Sequence, residues 1–221
     1  MTRRFAHWTP RYAIDRVRLF AYTLAHPRAP WLAPDAVRYL ESWLRPEHVG
    51  FEWGAGRSTV WFAQRVERLV SIEHDLEWYA RVQQTLLAQP RNDVDLRACP
   101  IDCSHASHNS HSSHNSHSSL YVDAINDVPD ASLDFVLVDG VSELRDACAL
   151  GAIPKVRPGG ILIIDDIHRY LPTASRAPLA LAPNAAPLTP LWQAVHAQLA
   201  PWERRNFSSG VTDTAVWSRP P

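Results

Sequence analysis

An α/β fold, with a doubly wound and mostly parallel sheet behind a helical N-terminal cap, is predicted by three observations. Strand-like runs alternate with helix-like runs from residue 46 onward. Two of the strand-like runs, FVLV and ILII, are apolar at every position, as central strands covered on both faces are. A glycine-bearing turn, GAG at 54–56, lies between a strand-like and a helix-like run. Open α/β sheets receive their ligands at that kind of junction.

The elements follow in order. Residues 11–25, RYAIDRVRLFAYTLA, carry apolar residues at helical spacing, and 34–44, PDAVRYLESWL, do so after a proline that suits a first helical turn. The proline-bearing HPRAPWLA joins them, so residues 1–45 read as a helical cap. Then come HVGFEW as a strand, STVWFAQRV as a helix, RLVSIEHD as a strand, and LEWYARVQQTLLAQ as a helix ending before Pro90. VDLRACP and LDFVLVDG are strands, SELRDACALGAIPKV is a helix, and PGGILIIDD is a strand opened by a turn. Residues 171–190 read as a proline- and alanine-rich loop, LTPLWQAVHAQL as a helix, and ERRNFSS with TDTAVWSR as a closing antiparallel pair. Residues 46–221 therefore form one domain, with no internal repeat.

Composition narrows the function. The chain has 221 residues, 46% of them hydrophobic, enough for one substantial core. With 22 basic and 23 acidic residues the net charge is −1, which argues against a sequence-independent grip on nucleic acid. No apolar run follows Arg3 and Arg4 as a secretory signal requires, and none approaches the roughly 18 residues of a membrane span. Three cysteines, Cys99, Cys103 and Cys148, make no disulfide framework and no complete zinc site, so a cytoplasmic protein is expected. Residues 104–119, SHASHNSHSSHNSHSS, are foreign to the rest: histidine recurs at His105, His108, His111, His114 and His117. A tract of this composition buries no core and is expected to be disordered. It reads first as an expanded surface loop, since long insertions cost little, and second as a transition-metal-binding tract.

The glycine turn carries the functional reading. Such a turn aims backbone N–H groups at a ligand and lets it come close. Glu73 stands nineteen positions after Gly54, at the end of the next strand, where a carboxylate accepts from ribose hydroxyls. GAG and Glu73 together read as a nucleoside-binding unit. The dinucleotide fingerprint wants a third glycine where this chain has Thr59, and Glu52 sits two residues before Gly54. A carboxylate there repels a pyrophosphate but suits the amino-acid end of S-adenosylmethionine.

On these residues the chain resembles the class I S-adenosylmethionine-dependent methyltransferases over roughly residues 34–219. FEWGAGRST is similar to the family's first motif, SIEHD to its second, LDFVLVDG to its fourth strand and RPGGILIIDD to its fifth. EWGAGRSTVWFA with SIEHDLEWY also resembles a small bacterial methyltransferase-domain subgroup. The resemblance implies a seven-stranded sheet in the order 3-2-1-4-5-7-6 with strand 7 antiparallel. It implies S-adenosylmethionine as cofactor, held by Glu52, Gly54, Ala55, Gly56, Ser58, Glu73, His74 and Asp139.

Asp139 in VDG and Asp165 with Asp166 in IIDD fall at the carboxyl ends of adjacent predicted strands. Three oxygens there suit Mg²⁺. The arrangement resembles that of metal-dependent small-molecule O-methyltransferases, in which the metal binds the acceptor hydroxyl and lowers its pKa. That implies Asp139, Asp165 and Asp166 as metal ligands. Strand-end aspartates also cap helices or only touch the cofactor, so a metal-free acidic site stays open. Asp139 and His168 are the expected catalytic residues, His168 as general base. Glu143 lies one turn into a helix, and Lys155, the one lysine in the sequence, lies at that helix's far end. Arg57 and Ser58 are candidates to touch the cofactor carboxylate, with helix capping the alternative for Ser58; Asp102 is a candidate to meet the adenine amine, and Trp78 to pack or to stack on adenine. Trp8, Trp31 and Trp43 close the core or roof a pocket for a flat or apolar acceptor. The expected activity is O-methylation of a small-molecule hydroxyl. The alternatives are a non-catalytic methyltransferase-like binding protein and an NAD-linked oxidoreductase.

Overall fold

The computed structural model describes residues 9–89, 93–101 and 120–221. Trp8, Asp102, Cys103 and the histidine tract lie outside the described residues. Helix α1 (Pro10–Ala25) begins where the Thr9 side chain accepts from the Tyr12 N–H and Pro10 fills the first turn. Helix α2 spans Pro34–Trp43. Strands β1 (Val49–Trp53), β2 (Arg68–Glu73), β3 (Val94–Ala98) and β4 (Leu133–Val138) alternate with α3 (Arg57–Ala63) and α4 (Leu76–Leu87). After β4 a short 3-10 turn, Ser142–Leu144, leads into α5 (Arg145–Ala152). Strand β5 (Val156–Asp165), α6 (Pro190–Gln198), β6 (Glu203–Ser208) and β7 (Asp213–Ser218) complete the chain.

The seven strands form one sheet in the order β3-β2-β1-β4-β5-β7-β6. The first five are parallel, and β7 runs antiparallel to both β5 and β6. Strand alternation assigns the two faces. Phe51, Trp53, Val136, Val138, Leu162 and Ile164 pack against Cys148, Ala149 and Ala152 of α5 and Trp192 and Val195 of α6. Leu69, Phe135, Leu137, Ile161 and Ile163 pack on the other face against Ala36, Val37 and Leu40 of α2 and Trp61 and Phe62 of α3. Each fully buried aliphatic or aromatic side chain contributes about 1.5–3 kcal/mol, which makes the two-faced β4 and β5 the stable centre of the molecule.

Two boundaries differ from the sequence expectation. Residues 153–155 leave the helix and Val156 already belongs to β5, where it pairs with Leu133. The Arg157 Nε–H holds Asp134 at 2.5 Å, and Gly159 (φ +76°) and Gly160 carry the strand past a register shift between Leu133 and Phe135. An added Cβ on Gly160 would stand 2.6 Å from the Asp134 carbonyl oxygen, so glycine is required for this close passage. The cap also divides. Helix α2 belongs to the core, whereas α1 buries only Asp15 and leaves Ile14, Val17, Phe20 and Leu24 exposed. No helix among the described residues is long and apolar enough to cross a membrane.

Candidate active site

The site is built at the carboxyl ends of β1, β2, β4 and β5. Gly54 leaves β1 at φ +95°, and its N–H donates to the Ile72 carbonyl at 2.9 Å. A Cβ at Gly54 would stand 2.8 Å from the Asp139 backbone, so only glycine passes between the β1 and β4 ends. The Ala55 carbonyl accepts from Trp78 Nε1 at 2.7 Å, and Trp78 packs among Ala55, Val60 and Val82. Trp78 thus locks the turn from α4, which is a packing role. The Gly56 N–H donates to Thr59 Oγ1 at 2.8 Å, and that hydroxyl in turn donates to Glu52 Oε1. Thr59, where a dinucleotide fold wants its third glycine, therefore ties the turn to Glu52.

Glu52 is fully buried beneath α3 and also accepts from Ser71 Oγ at 2.7 Å. Its other oxygen, Oε2, is buried without a partner. Burial pushes its pKa up to about 7, against the pull of the Thr59, Ser71 and Ser58 hydroxyls. Ser58 itself is buried on α3. Arg57 turns away from the glycine turn: its Nη2 donates to the carbonyls of His26 and Pro27 in the cap, and its guanidinium lies 5.6 Å from the Trp31 ring centre. At the end of β2, Glu73 Oε1 accepts the His74 and Asp75 N–H groups, both at 2.8 Å, and His74 Nδ1 lies 2.9 Å from the same oxygen. Oε1 thus anchors the carboxylate, and no hydrogen bond to Oε2 is found among the described residues.

The acidic cluster is organised by a residue that the sequence reading passed over. Arg145, the first residue of α5, is 6% exposed. It donates to the Gly140 carbonyl (3.0 Å), the Asp165 carbonyl (2.8 Å), the Asp139 carbonyl (3.0 Å) and Asp139 Oδ1 (2.9 Å). Burial raises the Asp139 pKa to about 6, with Arg145 pulling it down and Asp166 pushing it up. Asp165 accepts from Thr214 Oγ1 at 2.5 Å, and burial first, then Asp139 and Asp166, push its pKa well above the ordinary aspartate value. Asp166 accepts from Thr212 Oγ1 at 2.7 Å, with Arg169 Nη2 3.5 Å away, and holds a left-handed backbone (φ +55°) where β5 ends. No group of three His, Cys, Asp or Glu side chains among the described residues is arranged to hold a metal ion. The expected Mg²⁺ ligands Asp139, Asp165 and Asp166 each accept a hydrogen bond from the protein on Oδ1, and the buried Arg145 guanidinium already supplies a positive charge to the cluster.

His168 lies under the segment 171–181, whose Leu181 N–H bonds the His168 carbonyl at 2.9 Å. The ring is 1% exposed and neither nitrogen has a hydrogen-bond partner. Burial lowers its pKa, with Asp166 and Asp213 pulling the other way. Glu143 is exposed, and Lys155 pairs with Asp130 at 2.8 Å, remote from the cluster. A cavity of about 150 Å³ opens between the cap and the strand ends, lined by Leu19, Tyr22, Thr23, His26, Trp31, Arg57 and Thr212 among others. His168 does not line it. Trp31, 62% exposed, does, whereas Trp43 packs against the α2 core. His26 and the cavity were not legible in the sequence, because their residues come from three distant segments.

Comparison with known proteins adds the family. A family model described as a methyltransferase domain matches residues 51–167, more than half of the chain. Among solved structures, an O-methyltransferase from Bacillus cereus in complex with SAH superposes with a TM-score of 0.57 at 15% identity, over 93% of this chain and 91% of that one. A methyltransferase-like protein from Silicibacter pomeroyi gives 0.54 at 21% identity, over 87% and 89%. An rRNA methylase from Streptococcus thermophilus gives 0.54 at 9%, over 83% and 93%. At these identities the shared property is the fold. A search of curated proteins gives no match. The sheet order, the glycine turn and the family match agree: the chain belongs to the methyltransferase-domain family, with the class I, S-adenosylmethionine-dependent fold.

Proposed function

We propose that the protein transfers the methyl group of S-adenosylmethionine to a hydroxyl of a small, planar, single-ring acceptor. The cavity carries this reading. Its volume of about 150 Å³ matches what one benzene-sized ring fills. Its walls are mostly apolar, and it is bounded by Arg57, directly after the cofactor turn, and by Thr212, which bonds Asp166 at the end of β5. Arg57 Nε is buried without a partner, and it suits an acceptor oxygen or carboxylate.

In this reading Glu73 Oε2 takes the ribose hydroxyls, and the turn at 54–56 with Glu52 faces the amino-acid end of the cofactor. Asp139, fixed by Arg145, borders the transfer site. His26 takes the acceptor's proton. Its Nδ1 lies 3.0 Å from the Tyr22 carbonyl, which can only accept, so Nδ1 carries hydrogen and Nε2 is the nitrogen this reading assigns to the acceptor. His168, the base expected from the sequence, does not line the cavity, and the reading gives it no step. Methyl transfer itself is an in-line displacement whose rate comes from positioning.

The test is S-adenosylhomocysteine release in the presence of a panel of monocyclic phenols and hydroxylated aromatic acids. Turnover on ring hydroxyls, with the KM for acceptor raised at least about tenfold in Arg57→Ala, is expected. Turnover confined to macromolecules would overturn it.

A further inference from the structure

The end of β4 and the end of β5 bring three carboxylates, Asp139, Asp165 and Asp166, to one place. What holds them is a guanidinium. Arg145 is almost completely buried and makes four hydrogen bonds there, three of them to the backbone carbonyls of Asp139, Gly140 and Asp165. Burial works against its charge, but Asp139, Tyr170, Asp165 and Asp166 around it hold the guanidinium firmly protonated. Arg145 thereby occupies Asp139 Oδ1, one oxygen of the expected ligand set, together with three carbonyl oxygens beside it. A second positive charge of two units, placed within a few ångströms of a buried guanidinium, is repelled strongly in a low-dielectric site.

The local sequence explains how the arginine arrives. The 3-10 turn Ser142–Leu144 delays the start of α5, so its first residue reaches back over the strand ends. The fork shape of the guanidinium then bridges two strands in a way a lysine does not.

We propose that the Arg145 guanidinium is the resident cation of this cluster: it holds Asp139 in position beside the cofactor, and the cluster accepts a divalent ion only when Arg145 is removed. This goes beyond the methyltransferase reading and does not depend on the acceptor. Arg145 is thus a positioning residue.

The test is titration of Mn²⁺ into the metal-stripped full chain, followed by the electron paramagnetic resonance signal of the free ion. Mn²⁺ is chosen because it prefers carboxylate and carbonyl oxygens over the imidazoles of the histidine tract. Wild type and Arg145→Lys are expected to leave the ion free up to about 1 mM, the weak end of protein sites for such cations. Arg145→Ala is expected to take up one ion and to regain melting temperature when it does. Affinity for S-adenosylhomocysteine, measured calorimetrically on the same samples, is expected to be unmoved by a chelator in wild type and to fall in Arg145→Ala. One Mn²⁺ bound by wild type and lost in Asp139→Asn overturns the proposal, as does a folded Arg145→Ala that leaves Mn²⁺ free. Should Arg145→Ala not fold, the wild-type and Asp139→Asn pair still decides. Because no acceptor enters, failure of the acceptor reading leaves this result untouched.

Discussion

Glu52 shows what a single buried carboxylate does to this protein. One oxygen is satisfied by two hydroxyls, the other has no partner, and its pKa is raised to about 7. A carboxylate raised on folding binds its proton more tightly in the native state, so its contribution to stability is full below about pH 4.5 and is lost as pH rises through about 7. Urea midpoints of the ligand-free protein should therefore fall between about pH 4.5 and pH 7, and Glu52→Gln should flatten that fall by on the order of 2–3 kcal/mol. An equal slope in the variant contradicts the assignment. His26 carries the second residue-scale prediction: His26→Gln lowers kcat by about 10²–10⁴ while leaving cofactor affinity intact, whereas His168→Gln does not lower kcat on that scale. Glu52 and Glu73 are legible in sequence because local spacing places them at strand ends. Arg145 and His26 are not, because nothing in LRDAC or LAHPR shows which backbone carbonyls each will meet.

At the scale of elements, β4 and the second half of β5 are readable from unbroken apolar runs, and the sheet order follows from the resemblance. The start of β5 is not, since VRPGG has turn composition and becomes strand only through pairing with β4 and the Arg157–Asp134 bond. The β1–α3 turn is tightly constrained at Gly54. Gly54→Ala must place a Cβ 2.8 Å from the Asp139 backbone at a positive φ. It should cost about 1–3 kcal/mol and weaken S-adenosylhomocysteine binding, measured by melting and by calorimetry. Gly56 is different: its φ of 172° is extended backbone, and a Cβ there meets nothing nearer than Trp78 Nε1 at 3.6 Å. Gly56→Ala is accordingly expected to be the milder change.

The cavity proposed for the acceptor is assembled from residues 19–32, 57 and 212, which no local pattern joins. Residues 104–119 lie outside the described residues, and the account assigns them no role. Replacing them with a short Gly/Ser linker is expected to leave cofactor affinity unchanged and to shift the melting temperature by no more than about 2 °C. The central claim is that the glycine turn and Glu73 hold S-adenosylmethionine. Calorimetric titration of S-adenosylmethionine and S-adenosylhomocysteine into wild type and Glu73→Ala tests it most directly. Binding at micromolar concentration in wild type, lost in a variant that still melts cooperatively, is the predicted result. Equal affinity in both proteins, or no binding by a folded wild type, would contradict the account.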